Sequence, residues 1–195
     1  MRKLIVQEYV SIDGFAADRE RSTSYFDGTK YHIGKEVDKY MLSFIDSIDA
    51  IILGKNTYEM FLSYWPEIDS SEEIVSDSLN SKPKYICSKS LNKVSWGKWD
   101  NAILLKENCL EKIQALKNEG ASDLVVWGSL TLTKSLLLAD LVDEIHLFIC
   151  PVAIGKGYQF IPEEFDLLKL KLIETKTFDS GVILVKYQIR LALIH

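Results

Sequence analysis

The sequence predicts an α/β fold with a mixed sheet that is parallel in its centre, helices on both faces and an antiparallel hairpin at one edge. Short, largely apolar runs such as Asp49–Leu53 and Leu124–Trp127 are typical of strands covered on both faces, and each leads directly into a helical segment. Near the end of the chain, Leu170–Phe178 and Val182–Ile189 flank the turn Asp179–Gly181. The second of these runs alternates between apolar and polar residues, which indicates an antiparallel hairpin.

The other elements follow in chain order. Lys3–Val10 is an apolar strand that ends at the turn Ser11–Gly14. Asp18–Gly34 is polar without a period and predicts a loop, whereas Lys35–Ile48 carries an apolar stripe at helical spacing. We further expect helix Thr57–Tyr64, a surface excursion over Glu67–Ser78, strands Pro83–Cys87 and Ala102–Leu105, helix Leu110–Asn118, a helix after Ser129 and strand Glu144–Cys150. No repeat or linker divides the chain, so we expect one domain over residues 1–195.

Composition and charge argue against several classes of function. The net charge of −5 and the isoelectric point near 5.3 are not those of a dedicated nucleic-acid binder, which usually carries a basic face. No apolar run approaches the length of a membrane span, and Gln7 and Glu8 interrupt the N-terminal apolar run. We therefore expect neither a nucleic-acid partner nor a membrane partner.

The cysteines and histidines show no metal-binding or redox motif. Cys87, Cys109 and Cys150 are odd in number, widely spaced and without a C-x-x-C pair. We therefore expect free thiols in a reducing compartment, and hence a cytoplasmic protein. No histidine stands at the spacing of a metal ligand pair, so we expect no metal site. The histidines are His32, His146 and His195.

Small and basic residues directly follow three of the predicted strands. These junctions are Gly54-Lys55-Asn56-Thr57, Ser88-Lys89-Ser90 and Gly128-Ser129. A strand that ends in small residues and opens into a helix presents free backbone N–H groups and a positive dipole end to an anion. Because ligands of α/β sheets bind outside the carboxyl ends of the strands, the junctions together predict contacts to the phosphates of a dinucleotide. Taken singly, each also fits an ordinary structural turn.

Two side chains carry further expectations. Asp38 lies at the edge of the apolar stripe of Lys35–Ile48, where partial burial would raise its pKa toward that of a useful general acid. It also fits an ordinary first-turn residue that favours the helix dipole. Asn56, with Glu59 three residues later, is expected to cap the helix after Gly54.

Six motifs span nearly the whole chain in a consistent order. They are SIDGF (Ser11–Phe15), DAIILGKNTYEMF (Asp49–Phe61), YWP (Tyr64–Pro66), KYICSKSL (Lys84–Leu91), VVWGS (Val125–Ser129) and LVDEIHLFICPVAIGKGYQF (Leu141–Phe160). Together they resemble the dihydrofolate reductase-like superfamily, and in particular the bacterial riboflavin-biosynthesis reductase C-terminal domain family. The resemblance implies a three-layer α/β/α dihydrofolate reductase-like fold and a free-standing member without the deaminase domain.

The resemblance also implies an activity and a set of site residues. The implied activity is NADPH-dependent reduction of a heterocyclic substrate, similar to 5-amino-6-(5-phosphoribosylamino)uracil reductase or dihydrofolate reductase. By position, the cofactor would contact Gly54, Lys55, Asn56 and Thr57 at the adenosine phosphates, Ser88 and Lys89 at the 2′-phosphate, and Trp127, Gly128 and Ser129 around the pyrophosphate. The nicotinamide and substrate would be flanked by Asp13, Gly14, Pro151 and Val152, with Asp13 and Asp38 as candidate proton donors.

The chain departs from the family at two of these positions. Lys55 stands where the family commonly has Arg, which keeps the charge but loses bidentate geometry. Gly128-Ser129 stands where the riboflavin enzymes have Gly-Gly.

The alternative function is a non-catalytic nucleotide- or pterin-binding module that kept the fold. The family also implies a homodimer, for which the apolar strand end Leu191–Ile194 would offer a partner surface.

Overall fold

The computed structural model describes residues 2–26, 33–161, 163–165 and 167–189. Within these ranges the backbone forms strands, α-helices and, after the second helix, a short 3₁₀ helix, Trp65–Glu67. The strands and α-helices are β1 (Leu4–Ser11), β2 (Phe15–Asp18), α1 (Lys35–Ser47), β3 (Ile48–Gly54), α2 (Lys55–Leu62), α3 (Ser76–Ser81), β4 (Lys84–Cys87), β5 (Ala102–Leu105), α4 (Cys109–Leu116), β6 (Asp123–Val126), α5 (Leu130–Leu138), β7 (Glu144–Cys150), β8 (Gly157–Gln159), β9 (Leu170–Thr177) and β10 (Ile183–Ile189). None of the helices described is long and apolar enough to cross a bilayer.

The chain divides into two compact units. The first comprises Met1–Val6 and Asp38–Val142, and the second comprises Gln7–Val37 and Asp143–His195. Strand β1 and helix α1 each contribute residues to both units. The expectation of a single domain over residues 1–195 stays a prediction.

The first unit contains a parallel sheet with the strand order β5-β4-β3-β6-β1. Its inner strands β3 and β6 are covered on both faces, and Ile52, Leu53 and Val126 are fully buried. Parallel strands of this kind consist of continuous apolar runs, which is why the sequence predicts them well. Leu53 packs in one hydrophobic core with Tyr58 and Trp96.

The second unit contains the Gln7–Ser11 part of β1, followed across the sheet by β7, β10 and β9. The pairs β7–β10 and β10–β9 are antiparallel, which confirms the hairpin predicted around Asp179–Gly181. Together with the parallel pairs of the first unit, these strands confirm the α/β class and the mixed, mostly parallel sheet.

The second unit also contains a small antiparallel sheet of β2 and β8, which the sequence analysis did not predict. A Cβ on Gly157 would collide with the carbonyl oxygen of Ala17, so this pairing depends on glycine at that position. Strands of three and four residues are too short to show a two-residue period. The loop predicted over Asp18–Gly34 therefore begins only after β2, and its residues 27–32 lie outside the described ranges.

The acidic stretch Glu67–Ser78 was expected to be a surface excursion, and its last part contradicts this. Val75 is buried there, and Ser76 begins helix α3 with no exposed surface. Within α3, the buried Asn80 donates from Nδ2 to the carbonyl oxygen of Trp65 (2.7 Å) and accepts at Oδ1 from Nε1 of Trp96 (2.7 Å). These hydrogen bonds offset the burial of a polar helix, which composition alone cannot reveal.

A disulfide joins Cys87 to Cys109, whose Cα atoms are 6.0 Å apart. The expectation of three free thiols is therefore wrong. Of the three cysteines, Cys150 alone is free, and it is buried. The two bonded cysteines meet because β4 pairs with β5, which places Cys87 beside Leu105, and α4 begins at Cys109 shortly after β5 ends.

Candidate functional site

The carboxyl ends of β3, β4 and β5 lie level with one another in the first unit. The strand register pairs Gly54 with Cys87, and Cys87 with Leu105. On the other side of β3, the N–H of Gly54 donates to the carbonyl oxygen of Gly128 (3.0 Å), so the segment after β6 reaches the same edge. The structure therefore brings together the three strand-end junctions that the sequence analysis identified.

Two glycines allow the junctions after β3 and β6 to approach this closely. A Cβ on Gly54 would lie 2.9 Å from the backbone nitrogen of Ser129. A Cβ on Gly128 would lie 2.7 Å from Oγ1 of Thr57, and the φ angle of Gly128 is +68°. Both positions therefore exclude larger residues, and Gly128 also has a backbone conformation that favours glycine. The peptide bond between Gly128 and Ser129 is cis.

Two helices begin at this junction. Gly54 is the N-cap residue of α2 and Ser129 is the N-cap residue of α5, and in the described structure neither caps its helix through a side chain. The first N–H groups of both helices therefore lack the usual side-chain acceptor. Two positive helix ends beside crowded glycine backbone form an arrangement that suits a phosphate or pyrophosphate.

The start of α2 corrects one expectation. The helix begins at Lys55, so Asn56 is a first-turn residue and not the N-cap, and the predicted capping box with Glu59 is wrong. Glu59 instead lies 3.8 Å from Nζ of Lys55 as an exposed i, i+4 pair. Such a pair contributes little stability, so it does not prevent Lys55 from contacting a phosphate.

A depression of about 350 Å³ lies beside the ends of β4 and β5 and is lined by Lys89, Lys106, Glu107 and Asn108. The N–H of Ser88 donates to the carbonyl oxygen of Leu105 (3.3 Å), which keeps the two strand ends together. Nζ of Lys106 donates to Oδ1 of Asn92 (2.8 Å). Two lysine ammonium groups at one depression are suited to bind a phosphate monoester.

Lys106 was missed in the sequence analysis. It follows β5 directly, as Ser88 and Lys89 follow β4. The available signal was therefore a basic residue at a strand end, the same signal that identified Lys89. What the sequence lacked was the pairing of β4 with β5, which places Lys106 and Lys89 at one depression.

In the second unit, the four residues expected to flank the nicotinamide and substrate are close together. The exposed Asp13 accepts hydrogen bonds from the N–H groups of Gly155 (2.7 Å) and Ile154 (3.2 Å), and the N–H of Ile12 donates to the carbonyl oxygen of Val152 (2.9 Å). The Ser11 side chain, with these N–H groups, lowers the pKa of Asp13. Asp13 is therefore ionised at neutral pH, which favours a role as an anchor of the loop that begins at Pro151.

Gly14 completes this turn with a φ angle of +86°. Apart from the chain neighbours Asp13 and Phe15, no described residue has an atom within 4 Å of the position that a Cβ on Gly14 would take. The requirement for glycine there arises from backbone conformation and not from crowding.

The second unit also contains an acidic residue that the sequence analysis passed over. Glu8 is partly buried in β1, and burial raises its pKa to about 7. Its Oε1 accepts a hydrogen bond from the N–H of Tyr9 (3.2 Å), and this hydrogen bond lowers the pKa of Glu8 by less than burial raises it. A pKa near 7 keeps part of the Glu8 carboxyl protonated at neutral pH, and the protonated form is the one in which a general acid acts. The signal in the sequence was a carboxylate next to Gln7 within a largely apolar strand.

Asp38 and Trp127, the two other residues predicted for the site, differ in burial. Asp38 is half-buried in α1, at the edge of the apolar stripe. Trp127 is buried in the hydrophobic core, and its ring centroid lies 6.2 Å from that of Phe61. This packing favours a structural role for the indole of Trp127. The catalytic role of Asp38 and the cofactor contact of Trp127 stay predictions.

Metal ligation finds no support in the part of the chain described. There, no group of three or more His, Cys, Asp or Glu side chains is placed to hold a metal ion. His146 lies buried in β7, and its Nε2 atom is 3.0 Å from Oε2 of Glu144.

Comparisons with known proteins agree with this architecture. The family model of the RibD C-terminal domain matches residues 2–184. The chain is 27% identical to the uncharacterised protein YyaP of Bacillus subtilis strain 168, over 95% of this chain and 94% of YyaP. It is similar to the structure of a Shewanella sp. PV-4 protein assigned to riboflavin biosynthesis, with a TM-score of 0.77, 23% identity and coverage of 97% and 99% of the two chains.

A more distant likeness reaches the dihydrofolate reductases. The dihydrofolate reductase of Enterococcus faecalis, whose structure was solved with NADP(H), matches with a TM-score of 0.63 at 10% identity, over 96% of each chain. At this identity the likeness concerns the fold alone. It confirms the expected dihydrofolate reductase-like fold.

Proposed function

The chain belongs to the family of the RibD C-terminal domain, and from this premise we propose that it is an NADPH-dependent reductase of a small heterocyclic substrate. The observation that carries the proposal is the close junction of Gly54, Gly128 and Ser129 beside a depression lined by two lysines. Crowded glycine backbone at helix N-termini suits a pyrophosphate, and a pair of lysines suits an additional phosphate. NADPH carries both groups, whereas NADH lacks the second.

Each part of the proposed site has a distinct task in binding. The first N–H groups of α5 and α2 hold the pyrophosphate, and Gly128 leaves space for it to approach the backbone. The hydroxyl of Ser88 and the ammonium groups of Lys89 and Lys106 hold the 2′-phosphate. When NADPH is bound, it supplies the hydride, so the protein contributes orientation, exclusion of water and a proton.

We assign the proton to Glu8 in this proposal. Its pKa of about 7 leaves a substantial fraction protonated at neutral pH. Asp13 is ionised and already holds the Ile154 and Gly155 N–H groups, which suits positioning of the loop better than proton transfer. Asp38 is the alternative donor. A homodimer and a cytoplasmic location belong to the same proposal, and the segment Leu191–Ile194 expected at the dimer surface lies outside the described residues.

Calorimetric titration with NADPH and with NADH tests the proposal. We expect NADPH to bind more tightly, and we expect Lys89→Ala to weaken NADPH about tenfold or more while leaving NADH nearly unchanged. Lys112→Ala is the matched control, because Lys112 is an exposed lysine of α4 that does not line the depression. Absence of NADPH binding would remove the proposal, and equal losses for both cofactors would remove the 2′-phosphate role of Lys89.

Turnover distinguishes the reductase from its alternative. Oxidation of NADPH followed by absorbance, across a panel of pterins, ribosylaminopyrimidines and quinones, should identify at least one substrate. Tight NADPH binding with no turnover across the panel would instead support a non-catalytic binding module.

A further inference from the structure

The Cys87–Cys109 disulfide lies at the border of the proposed 2′-phosphate site. Cys87 is the last residue of β4 and directly precedes Ser88 and Lys89. Cys109 is the first residue of α4 and directly follows Asn108, which lines the lysine depression. The disulfide therefore joins the two ends of the segment 87–109, which contains both lysines of the depression.

The three cysteines differ in their access to solvent. Cys87 and Cys109 are half-buried residues, so neither is enclosed in the core. Cys150 is fully buried, and burial raises the pKa of its thiol to about 12, which leaves it protonated and unreactive at neutral pH. Thiol–disulfide exchange in the native protein is thus directed to Cys87 and Cys109.

The surroundings of Cys109 favour a reversible bond. After reduction its thiol would stand at the N-terminus of the eight-residue helix α4, next to a depression lined by Lys89 and Lys106. A helix N-terminus and nearby ammonium groups both stabilise a thiolate, which is the form that attacks a disulfide. Where disulfides occur in reducing compartments, they are usually transient and regulatory.

We propose that Cys87 and Cys109 form a reversible redox switch that sets the affinity of the adjacent depression for the 2′-phosphate of NADPH. The switch rests on the proposed function. A dithiol or glutathione acts as reductant: its thiolate attacks one cysteine sulfur, a mixed disulfide forms, and a second thiol releases it. The reductant loses two electrons and two protons, and the cysteine pair gains them as two thiols.

Reduction releases one side of the depression while leaving the other side in place. The hydrogen bond from Ser88 N–H to the Leu105 carbonyl oxygen continues to join β4 and β5. The segment of Glu107 and Asn108 loses its covalent link to β4, and Asn108, which directly precedes Cys109, has a left-handed backbone with φ of +52°. A less ordered site must be ordered on binding, so we expect reduction to weaken NADPH about tenfold and to leave NADH unchanged.

The test uses the full-length protein in reduced and oxidised dithiothreitol. Mass spectrometry after alkylation reports the state of each cysteine, and calorimetry gives the NADPH and NADH affinities in both states. The Cys87→Ser/Cys109→Ser double variant should bind NADPH as the reduced protein does, in either buffer. Cys150→Ala is the matched control and should respond to both buffers as the unaltered protein does.

The outcomes separate the switch from the function on which it rests. Reversible reduction of the pair, with a tenfold change for NADPH and none for NADH, supports the switch. Equal NADPH affinity in both states, or a pair that resists reduction in the folded protein, overturns the switch and leaves the reductase proposal standing. Absence of NADPH binding in both states overturns the proposed function and the switch together.

Discussion

Replacement of Gly128 by alanine tests the crowded junction at the centre of the proposed site. The new Cβ would lie 2.7 Å from Oγ1 of Thr57, closer than such contacts occur. At the φ angle of +68°, a side chain costs about 1–2 kcal/mol. Displacing Thr57 or the strand end to relieve the contact adds about 1–3 kcal/mol. We therefore expect Gly128→Ala to lower the free energy of unfolding by about 2–5 kcal/mol.

Gly155 provides a matched control for the backbone contribution. Its φ angle is +71°, nearly that of Gly128, and apart from its two chain neighbours no described residue has an atom within 4 Å of the position of its Cβ. Gly155→Ala should therefore cost only the conformational strain, about 1–2 kcal/mol. In a Thr57→Ala background the crowding atom is gone, and the cost of Gly128→Ala should fall to that of Gly155→Ala.

Urea denaturation followed by tryptophan fluorescence measures these free energies, since the chain contains four tryptophans. Equal costs for Gly128→Ala and Gly155→Ala would refute the crowding argument, and so would an undiminished cost in the Thr57→Ala background. A calorimetric titration of folded Gly128→Ala should also show weaker binding of NADPH, because the added methyl group occupies the proposed approach to the backbone.

Two further predictions concern buried ionisable groups. Burial lowers the pKa of Lys84 from 10.5 to about 7, so between these values the unfolded chain binds a proton that the folded chain lacks. The free energy of unfolding should therefore rise with pH across this window by up to about 1.4 kcal/mol per unit, and Lys84→Met should lose that slope in urea titrations at several pH values. If the proposed reduction uses Glu8 as its acid, Glu8→Gln should lower kcat about 10²–10⁴-fold with little change in NADPH affinity, and in the unaltered protein kcat should fall as the pH rises through about 7, near the Glu8 pKa. Steady-state kinetics across pH check this, and an unchanged kcat in Glu8→Gln would return the role of proton donor to Asp38.

The Lys84 prediction follows from burial of its side chain, whose hydrogen bonds can persist when the amine is neutral. Nζ donates to the carbonyl oxygens of Leu79 (2.6 Å) and Asn80 (2.7 Å) and lies 4.6 Å from the ring centroid of Trp96. A neutral amine has two hydrogens, which suffice for both carbonyl groups. Loss of the proton therefore removes the desolvation penalty without breaking these hydrogen bonds.

The parts of the fold that were predictable are those where one residue pattern decides the structure. Strands β3 and β6 are buried on both faces, so their apolar runs leave no alternative, and α1 carries a complete apolar stripe. Helix α3 was missed because its polar residues are buried through specific hydrogen bonds of Asn80. The β2–β8 pair was missed because its strands are too short for a period and depend on the single contact at Gly157.

The candidate site likewise contains residues that a local sequence pattern reveals and residues that only the pairing of strands reveals. Gly54, Lys89 and Gly128 were identifiable because each stands at the end of its own strand. Lys106 and the Cys87–Cys109 bond were not, because both require knowledge that β4 lies next to β5 in the register Cys87–Leu105. Sequence spacing contains no information on which strands are neighbours in a parallel sheet.

Strand pairing also reconciles the net charge of −5 with the anionic cofactor that we propose. At physiological ionic strength the field of an exposed charge is screened within about 8 Å, so a phosphate responds to its immediate neighbours and not to the whole chain. Parallel pairing places the ammonium groups of Lys89 and Lys106 at one depression, with Glu107 as the acidic residue of its lining. The local charge there is positive although the protein is acidic, and it depends on two lysines that are far apart in sequence. A single strand-end lysine would be largely balanced by Glu107, so the proposed selectivity for an additional phosphate would depend on the register of β4 and β5 as much as on Lys89 itself.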